Sequence, residues 1–416
     1  MNKSKHFYFN LMSETLAQQD KKNKKSLLLH SCCAPCNGWV VMMLSEYFDL
    51  TLYFNNSNIY PFQEYNRRLA ELKKFVAEFN PNIKIVHTEY NQEYQHDFFA
   101  LKDIKEGGER CLICYQKRME EAWSYADKHN FDYFTTVMSI SRQKDSLALN
   151  KIGEKLENKY RTPYFFSDFK KGGGMEKALA ISKQFAMYRQ DYCGCIYSIK
   201  KPSAATLDYL ANTNIFLFQN QNMFRINTDT SLLGNYLPAL NGKSVLDVGC
   251  NNGALILYAY YKSATVVAGI DINQKAIEMA KFNVDMHMFD SSNIQCVNVK
   301  DYDEKTFDVV VCNPPYFENS TKNANLHITK ARHLDSLSLT ALIKHLARLI
   351  KNDGKIYLVY RYDLQDNLMA AIEVANLFIV GKQLAYDNRV NKYKSILLTL
   401  SKKKLKCLLS DDVLIG

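Results

Sequence analysis

Short apolar runs alternate along the chain with longer segments in which apolar positions recur every three or four residues, and this rhythm is written twice. In the first series, 26–30 (SLLLH) predicts a buried strand, 38–48 (GWVVMMLSEYF) a helix, and 49–56 (DLTLYFNN) a second strand. An amphipathic helix over 61–80, a strand over 82–90, a helix over 114–130 and a strand over 131–139 continue it. A glycine-rich loop, FKKGGGMEK, then precedes a helix over 178–190 and the short segment DYCGC. Strand and helix in strict alternation predict a parallel sheet with helices on its faces.

The pattern stops after Cys195 and restarts near residue 243, with Lys200, Lys201, Pro202 and Ser203 marking the break. The second series predicts strands over 243–249, 265–272, 293–300, 307–312, 355–361 and 391–402, with helices over 253–262, 274–286 and 336–354. No fixed-period repeat links the two series. The expected fold is therefore α/β with two domains, 1–202 and 203–416, each Rossmann-like in its alternation.

A length of 416 residues agrees with two domains, and 47% hydrophobic with 23% charged residues is the balance of a chain that buries a core. The first 25 residues lack the apolar stretch and small-residue cleavage site of a secretory leader, and no window of about 20 uncharged apolar residues follows. A cytoplasmic location with no membrane partner is the expectation. In that reducing compartment eleven cysteines point to metal or redox chemistry rather than a disulfide framework. A net charge of +10 adds a polyanionic partner to the expectations.

Seven of the cysteines precede residue 200, in three groups: Cys32, Cys33 and Cys36; Cys111 and Cys114; Cys193 and Cys195. Each group lies at a strand end or a helix start, the rim where open parallel sheets bind ligands. Core thiols scattered at random would not cluster as CCxxC, CxxC and CxC. The CxxC spacing suits structural zinc. Cys32 and Cys33 with Cys111 and Cys114 also supply the four thiolates of an iron–sulfur cluster, and spacing does not choose between the metals. A disulfide between Cys193 and Cys195 would close a small, strained ring of the easily reduced kind, while the same two thiols also suit further metal ligation.

Five blocks, LLLHSCCAPCNGWV, NNSNIYPFQEYNRRLAELKKF, GGERCLICYQKRM, DYFTTVMSISRQKD and YRQDYCGCIYS, resemble the QueH-type epoxyqueuosine reductases over residues 25 to 198. The resemblance implies a HUP/Rossmann-like iron–sulfur domain that reduces the epoxide of epoxyqueuosine to queuosine at the tRNA wobble position. It implies that Cys32, Cys33, Cys111 and Cys114 hold a [4Fe–4S] cluster and that Cys193 and Cys195 form the catalytic redox pair. Cys36 falls where family members vary between cysteine and aspartate, a place for an extra metal. Loss of an epoxide oxygen consumes electrons that ordinary side chains do not supply, so a cluster beside a dithiol suits the chemistry and calls for an unidentified electron donor.

In the second series VLDVGCNNG places Asp247, Gly249 and Gly253 in a strand-to-helix turn, where glycines let a nucleotide-like ligand approach the backbone. Asp271, ending the next strand, stands at the distance expected for a ribose diol, and Asp301 after CVNVK is placed to meet an adenine amino group. NPPYF follows the apolar strand directly: Pro314 and Pro315 fix the backbone, Asn313 offers an amide, and Tyr316 with Phe317 offers aromatic faces for a planar amine substrate. These features resemble the class I S-adenosylmethionine (SAM)-dependent methyltransferases. FLFQNQNMFRINTDTSLLGNYL and ARHL narrow the resemblance, over about 207 to 402, to the enzymes that methylate N6 of an adenine beside the anticodon of a valine tRNA. Asn251 stands where those enzymes carry the middle glycine of the loop.

Together the two halves imply a bifunctional enzyme acting on the tRNA anticodon stem-loop. The runner-up is a DNA-adenine or release-factor glutamine methyltransferase carrying a zinc-stabilised RNA-binding domain without reductase activity. The run SKKKLKC reads as a solvated face, and Cys250, Cys312 and Cys407 carry no expected chemistry.

Overall fold

The computed structural model describes residues 6–221, 223–303, 305–315 and 337–415. The chain forms two compact units, Met1–Lys200 and Lys201–Gly416.

In the first unit α1 (Phe7–Ala17) precedes β1 (Lys25–His30), α2 (Ala34–Ser45), β2 (Phe48–Phe54), α3 (Phe62–Phe79) and β3 (Lys84–His87). Then come α4 (Glu109–Lys128), β4 (Tyr133–Thr136), α5 (Ser146–Leu156) and α6 (Gly174–Gln184). The sheet order is β3-β2-β1-β4, and every pairing is parallel. Strand β1 sits between two neighbours, and its Leu27, Leu28 and Leu29 are completely buried. Burial on this scale contributes about 1.5–3 kcal/mol for each leucine, which fixes the strand on which the thiols depend. The order reverses between β1 and β4, so the segments after these strands flank one crevice.

In the second unit β5 (Ala205–Tyr209) and β6 (Phe216–Asn220) form an antiparallel hairpin, followed by α7 (Thr228–Tyr236), β7 (Ser244–Val248), α8 (Ala254–Tyr261) and β8 (Val266–Asp271). Next are α9 (Gln274–Met286), β9 (Ile294–Cys296), β10 (Phe307–Cys312), α10 (Leu339–Leu349), β11 (Ile350–Arg361), α11 (Gln365–Val374), β12 (Phe378–Asp387) and β13 (Lys392–Ser401). Strands β9, β8, β7, β10 and β11 are parallel neighbours in that order. Strand β13 joins β11 antiparallel and β12 pairs with β13. The short strands β14 (Leu408–Leu409) and β15 (Val413–Ile415) lie along the other side of β12. Among the described residues no helix is long and apolar enough to cross a membrane.

Elements beyond the sequence expectations are α1, α5, the hairpin, α7, α11, β12 and the short strands β14 and β15. The helix expected over 336–354 ends at Leu349, because the polar stretch after Ile350 bulges out of the ladder: pairing jumps from Phe307↔Ile350 to Val309↔Lys355.

Candidate redox and methyl-transfer sites

The first site is built on the end of β1. His30 is buried, with Nδ1 2.7 Å from Thr136 Oγ1 and Nε2 3.3 Å from Arg118 Nη2, which ties β1 to β4 and α4. Cys33 caps α2 and Pro35 begins it, a position where the missing N–H costs nothing. Asn37 donates to the Cys33 carbonyl at 2.8 Å and accepts from Ser31 Oγ at 2.8 Å, while Asn56 donates to the Ser31 carbonyl at 2.7 Å. The turn is thereby held by buried amides, and the sulfurs of Cys32, Cys33 and Cys36 lie within 4.8 Å of one another. Hydrogen bonds from the other two thiols hold Cys33 well below the usual thiol range, helped by the Arg68 charge, and the same sharing pushes Cys36 well above it. Gln190 Nε2 donates to the Cys33 sulfur at 3.0 Å.

Cys111 and Cys114 lie on the first turns of α4, which begins five residues earlier than its sequence pattern suggests. The Gly107 amide donates to Cys111 Sγ at 3.2 Å and the Tyr94 hydroxyl to Cys114 Sγ at 3.5 Å. Arg110 anchors the helix start by donating to the carbonyls of Leu101, Lys102 and Ile104.

Cys193 lines a small cavity with Cys32 and Cys36, of about 20 Å3, room for one water-sized group. Cys193 also faces the other side: its charge acts on Cys111, and it and Cys114 together act on Cys195, which burial pushes up to about 12. Cys193 thus lines one cavity with the first cysteine group and stands within electrostatic reach of the second. Among the described residues only Cys32, Cys33 and Cys36 stand close enough to share one ion. The four thiolates of a cubane cluster bind four different irons and stand farther apart than ligands of a single ion. Gly194, at φ +136°, lets the CxC segment pass: a Cβ there would stand 3.1 Å from Arg68 Nη1.

Besides Arg110, three buried cations stand among these sulfurs, and sequence reasoning assigned none of them. Arg68 pairs with Glu64 at 2.6 Å and donates to the Cys193 carbonyl at 3.1 Å, and its Nη2 has no partner. Arg118 donates to Asn56 and lies by His30. Lys144 is held charged, against its burial, by the thiols of Cys193, Cys32 and Cys36. Arg68, Arg118 and Lys144 all sit in quoted sequence blocks, yet nothing in spacing separates them from surface cations.

The second site lies where β7 and β10 run side by side, with Val248 opposite Cys312. Gly249 and Asn313 are the next residues on each strand, so the glycine turn and the NPP segment are neighbours. Gly249, Asn251 and Gly253 all adopt positive φ, and Asn251 does so at +46° in the place of a glycine. A Cβ on Gly253 would stand 3.2 Å from the Cα and Cβ of Ala280. The Asn251 amide donates to Asp271 Oδ2 at 3.0 Å, the Asn273 amide donates to Oδ1 at 2.9 Å, and burial still raises the Asp271 carboxyl. Asp247 is buried with neither carboxylate oxygen partnered among the described residues, and burial together with the Asp271 charge pushes it well above the usual carboxylate range.

Asn313 Nδ2 donates to Thr230 Oγ1 at 3.2 Å, bringing α7 to the NPP segment. Asn251 Nδ2 donates to the Phe224 carbonyl, so the segment before α7 also reaches the glycine turn. Thr230 was not singled out, although it lies within the stretch that carries the narrower resemblance. Pro314 is buried and Pro315 exposed; Tyr316, Phe317 and the ARHL segment lie outside the described residues. Asp301 is exposed on the turn after β9, where its charge is felt by His345 of α10.

Residues 27–201 match the family described as epoxyqueuosine reductase QueH, and residues 216–387 match the methyltransferase small domain. The epoxyqueuosine reductase QueH of Streptococcus pyogenes serotype M1 is 34% identical over 207 residues, covering 48% of this chain and 81% of that protein. Its counterpart in Haemophilus influenzae is 38% identical over 192 residues, covering 45% of this chain and 76% of that protein. Among solved structures, a ribosomal protein L11 methylase from Lactobacillus delbrueckii subsp. bulgaricus is 20% identical with a TM-score of 0.34, over 44% of this chain and 82% of that one.

Proposed function

Through residues 27–201 this chain belongs to the QueH family of epoxyqueuosine reductases, and from that premise we propose that its first unit reduces epoxyqueuosine to queuosine in tRNA while its second methylates N6 of an adenine in the anticodon loop. The observation that carries the first half is the buried positive charge at the thiols. Arg118 and Lys144 have no carboxylate partner among the described residues, and a buried cation without one calls for an anion beside it. Thiolates of a metal centre would meet that need, and Cys32, Cys33, Cys111 and Cys114 are the four thiols that would hold a [4Fe–4S] cluster. Such a group supplies electrons one at a time.

In the reaction both C–O bonds of the epoxide break, a C=C bond forms, and the oxygen leaves as water after uptake of two electrons and two protons. Oxidation of Cys193 and Cys195 from dithiol to disulfide releases that number of each. Arg68 holds the Cys193 backbone in place, and the strained ring of a CxC disulfide favours its reduction by the external donor that completes the cycle.

In the second unit the partnerless Asp247 carboxylate and the Gly253 cradle fit SAM, which supplies the methyl group. With Nδ2 committed to Thr230, Asn313 presents its Oδ1 as the acceptor for an exocyclic N–H, leaving the amine lone pair to attack. As that nitrogen bonds to the methyl carbon the S–CH3 bond breaks, and the nitrogen then loses a proton. Pro314 and Pro315 hold this acceptor at the strand end.

The test is nucleoside analysis of tRNA from a strain lacking the gene. Epoxyqueuosine accumulates and one N6-methyladenosine disappears if the proposal holds; unchanged queuosine refutes the reductase assignment. The close trio Cys32, Cys33 and Cys36 also suits a single zinc ion, so stoichiometric zinc in a colourless, anaerobically purified protein would favour the zinc-stabilised alternative.

A further inference from the structure

A second, more open cavity of about 210 Å3 lies beside the thiols, between α2, α6 and the segment after β4. It shares Cys36, Ser141, Gln143 and Gln190 with the small cavity at Cys193, so the two adjoin. Met175, Ala178 and Leu179 form an apolar wall. Gln190 commits Nε2 to Cys33, and its buried Oε1 has no partner, an acceptor waiting for an N–H. Two exposed arginines, Arg142 and Arg189, stand at this cavity and form no ion pair or hydrogen bond with any described residue. Arg161 and Lys117 of the same unit, by contrast, are paired with Asp127 and Asp97.

An apolar wall, a buried acceptor and two free guanidinium groups suit one ligand chemistry: a planar ring bearing N–H groups, flanked by anions. The volume falls below the roughly 300–1,000 Å3 of drug-sized ligand sites, which limits the occupant to one base-sized group. We propose that this cavity receives a single nucleobase splayed out of a single-stranded RNA loop, with Arg142 and Arg189 gripping the phosphodiesters on either side of it. The proposal rests on the reductase reading and names the part of the chain that presents the modified nucleotide to Cys193. Arginine suits the task because its planar fork binds phosphate oxygens in pairs.

The experiment follows epoxide reduction on an anticodon stem-loop RNA across a salt series, using the full chain. Log kcat/KM falls with log salt, and R142Q and R189Q should each reduce that slope by about 0.7, the value for one phosphate of a single strand. KM should rise several-fold in each variant while kcat at saturating RNA stays near wild type. R161Q, whose arginine lies outside the cavity, should match wild type, and the unchanged kcat, with unchanged iron content, reports that the first unit of each variant is folded. Slopes and KM values unchanged in R142Q and R189Q, with wild type active, overturn this inference alone. A wild-type chain that fails to reduce the RNA under anaerobic, electron-supplied conditions overturns the reductase reading itself.

Discussion

Arg68 Nη1 donates to the Cys193 carbonyl across 3.1 Å, so a cation on α3 holds the backbone that carries the two outer thiols. The guanidinium is in turn fixed by Glu64 at 2.6 Å, and Tyr188 donates to that carboxylate at 3.2 Å. Removing this charge would strand a buried carboxylate, so Arg68→Lys is the informative change. It keeps the charge and loses the fork. Reductase kcat should fall by about 10-fold or more, as for other residues that orient a reactive group. The midpoint potential of the Cys193–Cys195 pair, read against a glutathione series, should shift while iron content stays constant. An unmoved potential with unmoved kcat would leave Arg68 a packing residue only.

Metal content separates the inner sulfurs by role. Anaerobically prepared wild-type protein should contain about four irons and four sulfides per chain. Cys33→Ala and Cys111→Ala should each lose that iron together with the brown colour. Cys36→Ala should keep the cluster, since Cys36 lies outside the proposed four-ligand set. Iron retained by both ligand variants would disprove the assignment.

In the second unit, cofactor binding and chemistry should come apart. Asn313→Ala should leave SAM affinity, measured by calorimetry, near wild type while lowering methyl transfer by roughly 100- to 1,000-fold, the usual effect of losing one oriented polar group in a closed site. Asp247→Ala should weaken SAM binding itself, because the cofactor provides the donors that its carboxylate lacks among the described residues.

His287 gives the second unit a predictable response to acid. Its ring is buried, Nε2 stands 2.7 Å from the Phe216 carbonyl and Nδ1 2.9 Å from the Tyr261 hydroxyl. Burial lowers its pKa from 6.5 to about 4, the Phe216 carbonyl opposing the shift. Below pH 6.5 the unfolded chain therefore binds a proton that the folded chain refuses. The stabilisation is complete above pH 6.5 and is lost as pH falls towards 4, by on the order of 3 kcal/mol. Hydrogen exchange at the β6 amides should follow this slope, and His287→Gln should flatten it. Equal slopes in the two proteins would rule the imidazole out as the cause.

What the sequence disclosed was whatever its own periodicity and spacing encode. β1, β2, β7 and β10 are legible because buried parallel strands are continuous apolar runs, and the cysteine groups because clustered thiols are rare. The roles of Arg68 and Lys144 were not legible: each is one cation among 53 lysines and arginines, and only tertiary burial distinguishes it. Strand β12 escaped for a related reason. FIVGKQLAYD mixes exposed, half-buried and buried positions in no regular order and carries a glycine mid-strand, so it lacks the unbroken apolar signature of its neighbours. Helix α4 extends back to Glu109 because Arg110 ties its start to three carbonyls, a tertiary anchor without local pattern.

Strand β12 is paired on one side with β13 and on the other with β14 and β15, so the last residues of the chain act as a selvedge on a nine-stranded fabric. Trimming the chain after Ser401 would leave the amides and carbonyls around Gly381 and Tyr386 unpaired along an open margin. A bare strand of that length is a template for a neighbouring molecule, so shortened versions should cluster in solution even though the cysteines of the redox rim, both cavities and the glycine turn are left in place.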